Sequence, residues 1–284
     1  MGRIVFFNDR FLKDKDVKIS VFNRGFLYGE GVFETMRSYN GVIFKLDKHL
    51  RRLFHSSEKM YLKIPYNQNK LKGHIYTTLK KNFLKEAYIR VALWRREEGF
   101  GLDFKEKIAD TLIVAQPLKK FPRRVYKEGI KAVALKGKNT SSLISNIKSF
   151  NYLENILARK MARSLGFDEV ILLNTEGFVS EASSSNIFIV RNGVLTTPPI
   201  KAGILAGITR EVIIDLAKRC LFDVYERNIS ARELLKADEI FLTNSISEIV
   251  PVAEVNGKRI GSGLAGEFTR LLAVLYRLEA EKQV

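Results

Sequence analysis

A chain of 284 residues with 46% apolar composition can bury one large core or two modest ones without a disulfide or a metal to hold it. One cysteine, Cys220, excludes an internal disulfide, and three scattered histidines, His49, His55 and His74, lack the spacing of a zinc cluster, so no metal is expected. The net charge of +17 is compatible with a nucleic-acid face, a site for an anionic small molecule or a solvated basic surface. The knots Arg51-Arg52, Lys80-Lys81, Lys119-Lys120 and Arg123-Arg124 carry no interleaved aromatic motif of the RNA-binding kind, which favours the last.

Met1 to Leu12 reads as strand-like rather than as a basic segment followed by an apolar one. No run in the chain approaches the roughly 18 apolar residues of a membrane span. A cytoplasmic location without a membrane partner is the default expectation. Hydrophobic periodicity then predicts strands at Ile4–Asn8, Val32–Tyr39 and Val42–Lys45, helices at Leu46–Met60 and Gln68–Lys81, and strands at Ala87–Arg95 and Asp110–Ala115. The stretch Gln116–Lys127, QPLKKFPRRVYK, holds two prolines among basic residues and reads as a connector. Two domains follow, a small α+β one over 1–116 and a larger one over 128–284, joined by 117–127. The second opens with a strand at Lys131–Leu135 and a helix at Tyr152–Leu165. Strands at Glu169–Asn174, Ile187–Arg191 and Val194–Thr197, a helix at Thr209–Cys220, and the strand pair Glu239–Thr243 and Glu248–Val255 complete it.

Four places in the second domain bear on chemistry. Lys148 stands between Ile147 and Phe150, just before a helix whose apolar positions Leu153, Ile156, Leu157 and Met161 recur at helical spacing. An inward-pointing, desolvated lysine is a usable nucleophile and base, whereas a snorkelling one is only a helix-start residue. Glu181 is followed by Ala182-Ser183-Ser184-Ser185-Asn186 and a strand, a pattern that suits either a partnered buried carboxylate or a solvated turn. Gly203 to Arg210 is a glycine-punctuated loop that opens a helix near Ile208 and Thr209, and free backbone N–H groups at such a start can seat a phosphate. Thr243-Asn244-Ser245-Ile246-Ser247 interrupts two strands and, alone, is a turn.

In this order and spacing the four places resemble the class IV aminotransferase family of enzymes that use pyridoxal 5′-phosphate (PLP) and share fold type IV. That family includes branched-chain and D-amino-acid aminotransferases and aminodeoxychorismate lyase. The N-terminal half adds Arg24-Gly25-Phe26-Leu27-Tyr28-Gly29-Glu30-Gly31-Val32-Phe33-Glu34-Thr35-Met36-Arg37 and His49-Leu50-Arg51-Arg52-Leu53, so the resemblance covers nearly the whole chain. It implies a mixed α/β, two-domain fold like that of D-amino-acid aminotransferase, with a barrel-like sheet in the larger domain, and a homodimer. It makes Lys148 the lysine that bonds PLP as a Schiff base and moves protons, and Glu181 the partner of the pyridine nitrogen, whose protonated form is the electron sink. Arg52, Ile208, Thr209 and Ser245 match phosphate contacts, and Tyr152 matches a tyrosine at the phenolic oxygen. Arg51 is left as a surface residue.

The substrate is expected to be a small anionic amino compound, facing Tyr28, Phe33, Thr35, Tyr88, Arg90, Ile246 and Ser247. In the family's branched-chain aminotransferases the motif usually runs Phe-Glu-Gly. Here it is Phe33-Glu34-Thr35, as in many lyases that make 4-aminobenzoate and pyruvate. Ala87-Tyr88-Ile89-Arg90 resembles the branched-chain transaminase strand instead, and Trp94 to Asp103 lacks the Arg-x-His carboxylate trap of typical D-amino-acid enzymes. Thr35 sets the expectation at aminodeoxychorismate lyase. The alternative is a class IV aminotransferase acting on a branched-chain or D-amino acid with 2-oxoglutarate, and a basic nucleic-acid-binding protein on a retired enzyme fold is the remote one.

Overall fold

The computed structural model of the chain describes residues 2–105, 108–119, 121–138 and 143–282. Its contacts divide into two units, one of Met1–Lys119, Ile147–Asn151 and Ala280–Val284, the other of Lys120–Asn146 and Tyr152–Glu279.

The first unit comprises β1 (Ile4–Phe7), β2 (Arg10–Lys13), α1 (Arg24–Tyr28), β3 (Gly31–Tyr39), β4 (Val42–Ile43), α2 (Leu46–Lys59), α3 (Gln68–Lys81), β5 (Ala87–Arg95) and β6 (Ala109–Pro117). Its strands form an antiparallel sheet ordered β2-β1-β6-β5-β3-β4. Strand alternation sends Val32 and Met36 of β3, with Ile89, Val91 and Leu93 of β5, into a core shared with Leu46, Leu50 and Leu53 of α2 and Leu71, Ile75 and Leu79 of α3. The helical residues recur every three or four positions, so each helix offers the sheet one apolar stripe. Asn67 caps α3, its side chain accepting from Lys70 N at 2.9 Å. By the same alternation Phe33, Thr35, Tyr88 and Arg90 stand on the sheet face opposite the helices.

A segment distant in sequence completes this sheet. Phe33 N donates to Lys148 O at 2.9 Å and Phe150 N to Gly31 O at 2.8 Å, with a bridge between Val32 and Ser149. Ile147–Asn151 therefore belongs to the first unit, whereas the sequence places it in the second domain. Gly31 permits the approach: a Cβ there would lie 2.6 Å from Phe150 Cε2 and 2.7 Å from Leu93 O.

The second unit comprises α4 (Arg123–Glu128), β7 (Ile130–Lys138), α5 (Leu153–Ser164), β8 (Glu169–Asn174), β9 (Val179–Ala182), β10 (Asn186–Arg191), β11 (Val194–Thr197), α6 (Ile208–Arg219), β12 (Val224–Glu226), α7 (Ala231–Leu234), β13 (Glu239–Asn244), β14 (Glu248–Val255), β15 (Lys258–Arg259) and most of α8 (Glu267–Glu281). The strand order is β12-β11-β10-β13-β14-β7-β8-β9, with β15 on β14. β9 ends this path, yet only Ser183, Ser184 and Ser185 separate it from β10 near the other end, and Ala182 N donates to Ser185 O at 2.8 Å. The sheet must therefore curl back on itself, as the expected barrel-like form requires. Phe188 and Phe241 stack at 5.0 Å across β10 and β13.

Further expectations differ from the structure. The connector over 117–127 starts within β6 and runs into α4, because Arg123–Glu128 forms a helical turn after Pro122. Helix α8 and the short elements β2, α1, β9, β12, α7 and β15 lie outside the predicted set. Leu153, Ile156, Leu157 and Met161 recur helically on α5, as the spacing predicts, and are 55–67% exposed in this chain. No helix of the described residues is long and apolar enough to cross a membrane.

Because Gly31 sits against Phe150, Gly31→Ala is expected to lower unfolding stability by about 1–3 kcal/mol, as over-packing does. Urea denaturation measures it, and an unchanged midpoint would show that the segment carrying Lys148 is not held by this contact.

Candidate active site

In the first unit, strand pairing assembles one group of side chains. Thr35 is opposite Arg90, Arg37 opposite Tyr88 and Phe33 opposite Ala92 in the β3–β5 ladder, so Phe33, Thr35, Tyr88 and Arg90 share a face. The Arg90 guanidinium lies 3.7 Å from the Phe33 ring centroid and the Lys148 ammonium 4.5 Å from it. Lys148 is half-buried, and its backbone pairing with β3 fixes where its side chain starts. Tyr28 ends α1, and its hydroxyl accepts from Gly101 N at 3.0 Å.

The opposite face of β3 carries Glu34, fully buried at 0% exposure. Arg52 of α2 grips it with Nε at 2.6 Å from Oε1 and Nη2 at 2.8 Å from Oε2. His49 Nδ1 is 2.7 Å from Oε2. His49 and Arg52 are three residues apart on one helix and so share a side. Burial alone would raise the Glu34 pKa, but the charge and hydrogen bonds of Arg52, with those of His49, hold the carboxyl well below the usual carboxylate range. Burial pushes the His49 pKa below its ordinary 6.5; Glu34 opposes that shift, and the Arg52 and Lys148 cations add to it. Glu34 and His49 were present in the sequence motifs without an assigned role. A charged residue on the helix-facing side of a strand was the available signal.

In the second unit the polar groups converge on Asn186. Its Nδ2 donates to Leu205 O at 2.9 Å and lies 3.5 Å from Glu181 Oε2. Leu205 N donates to that same carboxylate oxygen at 3.0 Å. Glu181, in β9, is thus a buried, partnered carboxylate and not a solvated turn acid. Ile208 and Thr209, both buried, begin α6 behind Gly207, which brings no capping side chain. A Cβ at Gly207 would lie 1.9 Å from Asn186 Oδ1, so the asparagine that reaches Glu181 also packs against the helix start. The 244–247 turn is tied to the same region: Asn244 Oδ1 accepts from Ile246 N at 2.9 Å and Ser247 N at 2.8 Å, and its Nδ2 donates to Ser185 Oγ at 2.8 Å. Ser245, Ile246 and Ser247 therefore sit on a braced turn. Tyr152 occupies the N-cap position of α5. Asn186 has no assigned role in the sequence motifs, and its partner Leu205 lies nineteen residues away along the chain.

These groups suit PLP by their chemistry. In the first unit Lys148 offers an amine and Arg52 a guanidinium, and in the second Glu181 offers a buried carboxylate and α6 a start with no side-chain cap. Thr243 is the cross-strand partner of Asn186, and its buried Oγ1 has no hydrogen-bond partner among the described residues, as befits a group left for a ligand. No group of three or more His, Cys, Asp or Glu among the described residues can hold a metal ion.

Comparison with known proteins shows the family. The amino-transferase class IV family matches residues 31–255, and the chain belongs to that family. It is a PLP-dependent enzyme. It is 40% identical over 271 residues to a Methanocaldococcus jannaschii protein provisionally named branched-chain-amino-acid aminotransferase, covering 94% of this chain and 93% of the other. Aminodeoxychorismate lyase of Bacillus subtilis is 33% identical over 290 residues, 99% and 96% of the two chains. The crystal structure of branched-chain aminotransferase from the thermophilic archaeon Thermoproteus uzoniensis with norvaline superposes with a TM-score of 0.92 at 33% identity, covering 99% of this chain and 96% of that one. The weight of similarity thus lies with aminotransferases, against the sequence expectation of a lyase. Thr35, which carried that expectation, stands beside Arg90 on a face that either reaction can use.

The depressed His49 pKa has a consequence for stability. As pH falls below 6.5 the unfolded chain binds a proton at this histidine that the folded chain resists, so stability drops with it. His49→Asn is expected to flatten the pH dependence of the melting temperature as pH falls below 6.5. An unchanged slope would show that His49 does not titrate in this way.

Proposed function

We propose that this chain transfers the amino group of a branched-chain amino acid to 2-oxoglutarate. The observation that carries the reading is the face formed by Phe33, Thr35, Tyr88 and Arg90. The rings of Phe33 and Tyr88 can receive an aliphatic side chain, and Arg90 can pair with the distal carboxylate of the dicarboxylic partner. One site then serves both substrates. The identity to the Methanocaldococcus jannaschii protein supports it.

In this reading Lys148 bonds PLP, Arg52, Ile208, Thr209 and Ser245 hold its phosphate, Glu181 partners its ring nitrogen and Tyr152 its phenolic oxygen. Ile246 and Ser247 line the substrate side of the braced turn. PLP supplies the electron sink that takes up charge when a bond at the amino-bearing carbon breaks. Lys148 Nζ removes the proton from that carbon of the donor amino acid, and in the return half delivers one to the matching carbon of the keto acid. Thr35 and Tyr88 orient the substrate beside Lys148.

Glutamate should form from leucine, isoleucine or valine with 2-oxoglutarate. Arg90→Gln should raise KM for 2-oxoglutarate about tenfold or more, the cost of one charged pair, and leave KM for leucine within about threefold. Formation of 4-aminobenzoate and pyruvate from aminodeoxychorismate without a keto acid, with no glutamate from the branched-chain substrates, would overturn the reading in favour of the lyase.

A further inference from the structure

We propose that Glu34 is a positioning residue that fixes the Arg52 guanidinium for the cofactor phosphate, with His49 completing its set of donors. The inference rests on the assignment of Arg52 to the phosphate and extends it to residues that touch neither cofactor nor substrate.

An arginine side chain has many rotamers, and a phosphate grip gains from having that freedom removed beforehand. Here Nε and Nη2 both donate to the one carboxylate, at 2.6 and 2.8 Å, which sets the guanidinium plane. The anchor itself is immobile. Glu34 is at 0% exposure on β3, between Phe33 and Thr35 of the opposite face, and His49 Nδ1 holds Oε2 from the next turn of α2 at 2.7 Å. The strand that carries the substrate face therefore also holds the phosphate residue, through consecutive side chains pointing opposite ways. A buried carboxylate with no electrostatic task is costly. Orienting Arg52 is such a task.

Charge and orientation make opposite predictions, which permits a clean test. If Glu34 mattered only as a negative charge near the phosphate, Glu34→Gln would tighten PLP. If it orients Arg52, the same change weakens PLP, because the amide retains one acceptor oxygen and turns an N–H toward an N–H of the guanidinium. Pyridoxal, which reacts with the same lysine but has no phosphate, separates orientation from general damage.

The experiment titrates apoenzyme with PLP and with pyridoxal, following visible absorbance, for the natural chain, Glu34→Gln, Glu34→Asp and Arg52→Ala. Glu34→Gln and Glu34→Asp are expected to raise the PLP dissociation constant about tenfold or more, as loss of a charged hydrogen bond does, and to leave that of pyridoxal within about twofold. If Glu34→Gln does not fold, the shorter but still charged Glu34→Asp decides. Equal weakening of both ligands, no change, or tighter PLP would overturn the proposal. An unaltered ratio of the two constants in Arg52→Ala would instead remove the phosphate assignment of Arg52 itself.

Discussion

Two backbone hydrogen bonds, Phe33 N to Lys148 O and Phe150 N to Gly31 O, are the constraint on which the first unit's chemistry depends. They join residues more than a hundred positions apart and give Lys148 a strand neighbour in place of a loop. Without them Lys148 would be one more cation in a chain of net charge +17, with the entropy of a long side chain on a flexible stem. With them it starts from a fixed backbone position beside Phe33. Gly31 has no side chain for the same reason, since Phe150 occupies the space.

β3 extends that order to both its faces. Phe33 and Thr35 face one way and Glu34 the other, so a single strand presents an aromatic and hydroxyl surface on one side while gripping α2 from the other. Within the second unit Asn186 plays the corresponding part, binding Leu205 O and Glu181 and crowding Gly207 at the start of α6. Each unit thus presents its candidate groups on paired strands or braced turns, which restrict motion more than free loops do.

Much of this was legible in the sequence. The alternation in Val32–Tyr39 and the helical period in Leu46–Met60 follow from which side each residue buries, and β3 and α2 lie within two residues of those bounds. Lys148 and Glu181 were legible as members of ordered motifs, and the burial and hydrogen bonds of Glu181 accord with a partnered carboxylate. The pairing of Glu34 with Arg52 was not, because an acidic residue in a strand is normally solvated and its partners arrive only when α2 folds back on the sheet. At α5 periodicity shows that Leu153, Ile156, Leu157 and Met161 share a side, and it is silent on what covers that side. Helix α8 was readable in Glu267–Glu281, where Leu272, Tyr276 and Ala280 recur every four residues and are buried.

The account is tested most directly by reducing the PLP-loaded protein with borohydride and mapping the adduct by peptide mass spectrometry. One phosphopyridoxyl group per chain, on Lys148, is the result predicted, together with its loss in Lys148→Ala. An adduct on another lysine, or a Lys148→Ala protein that keeps its colour and its reducible cofactor, would contradict it.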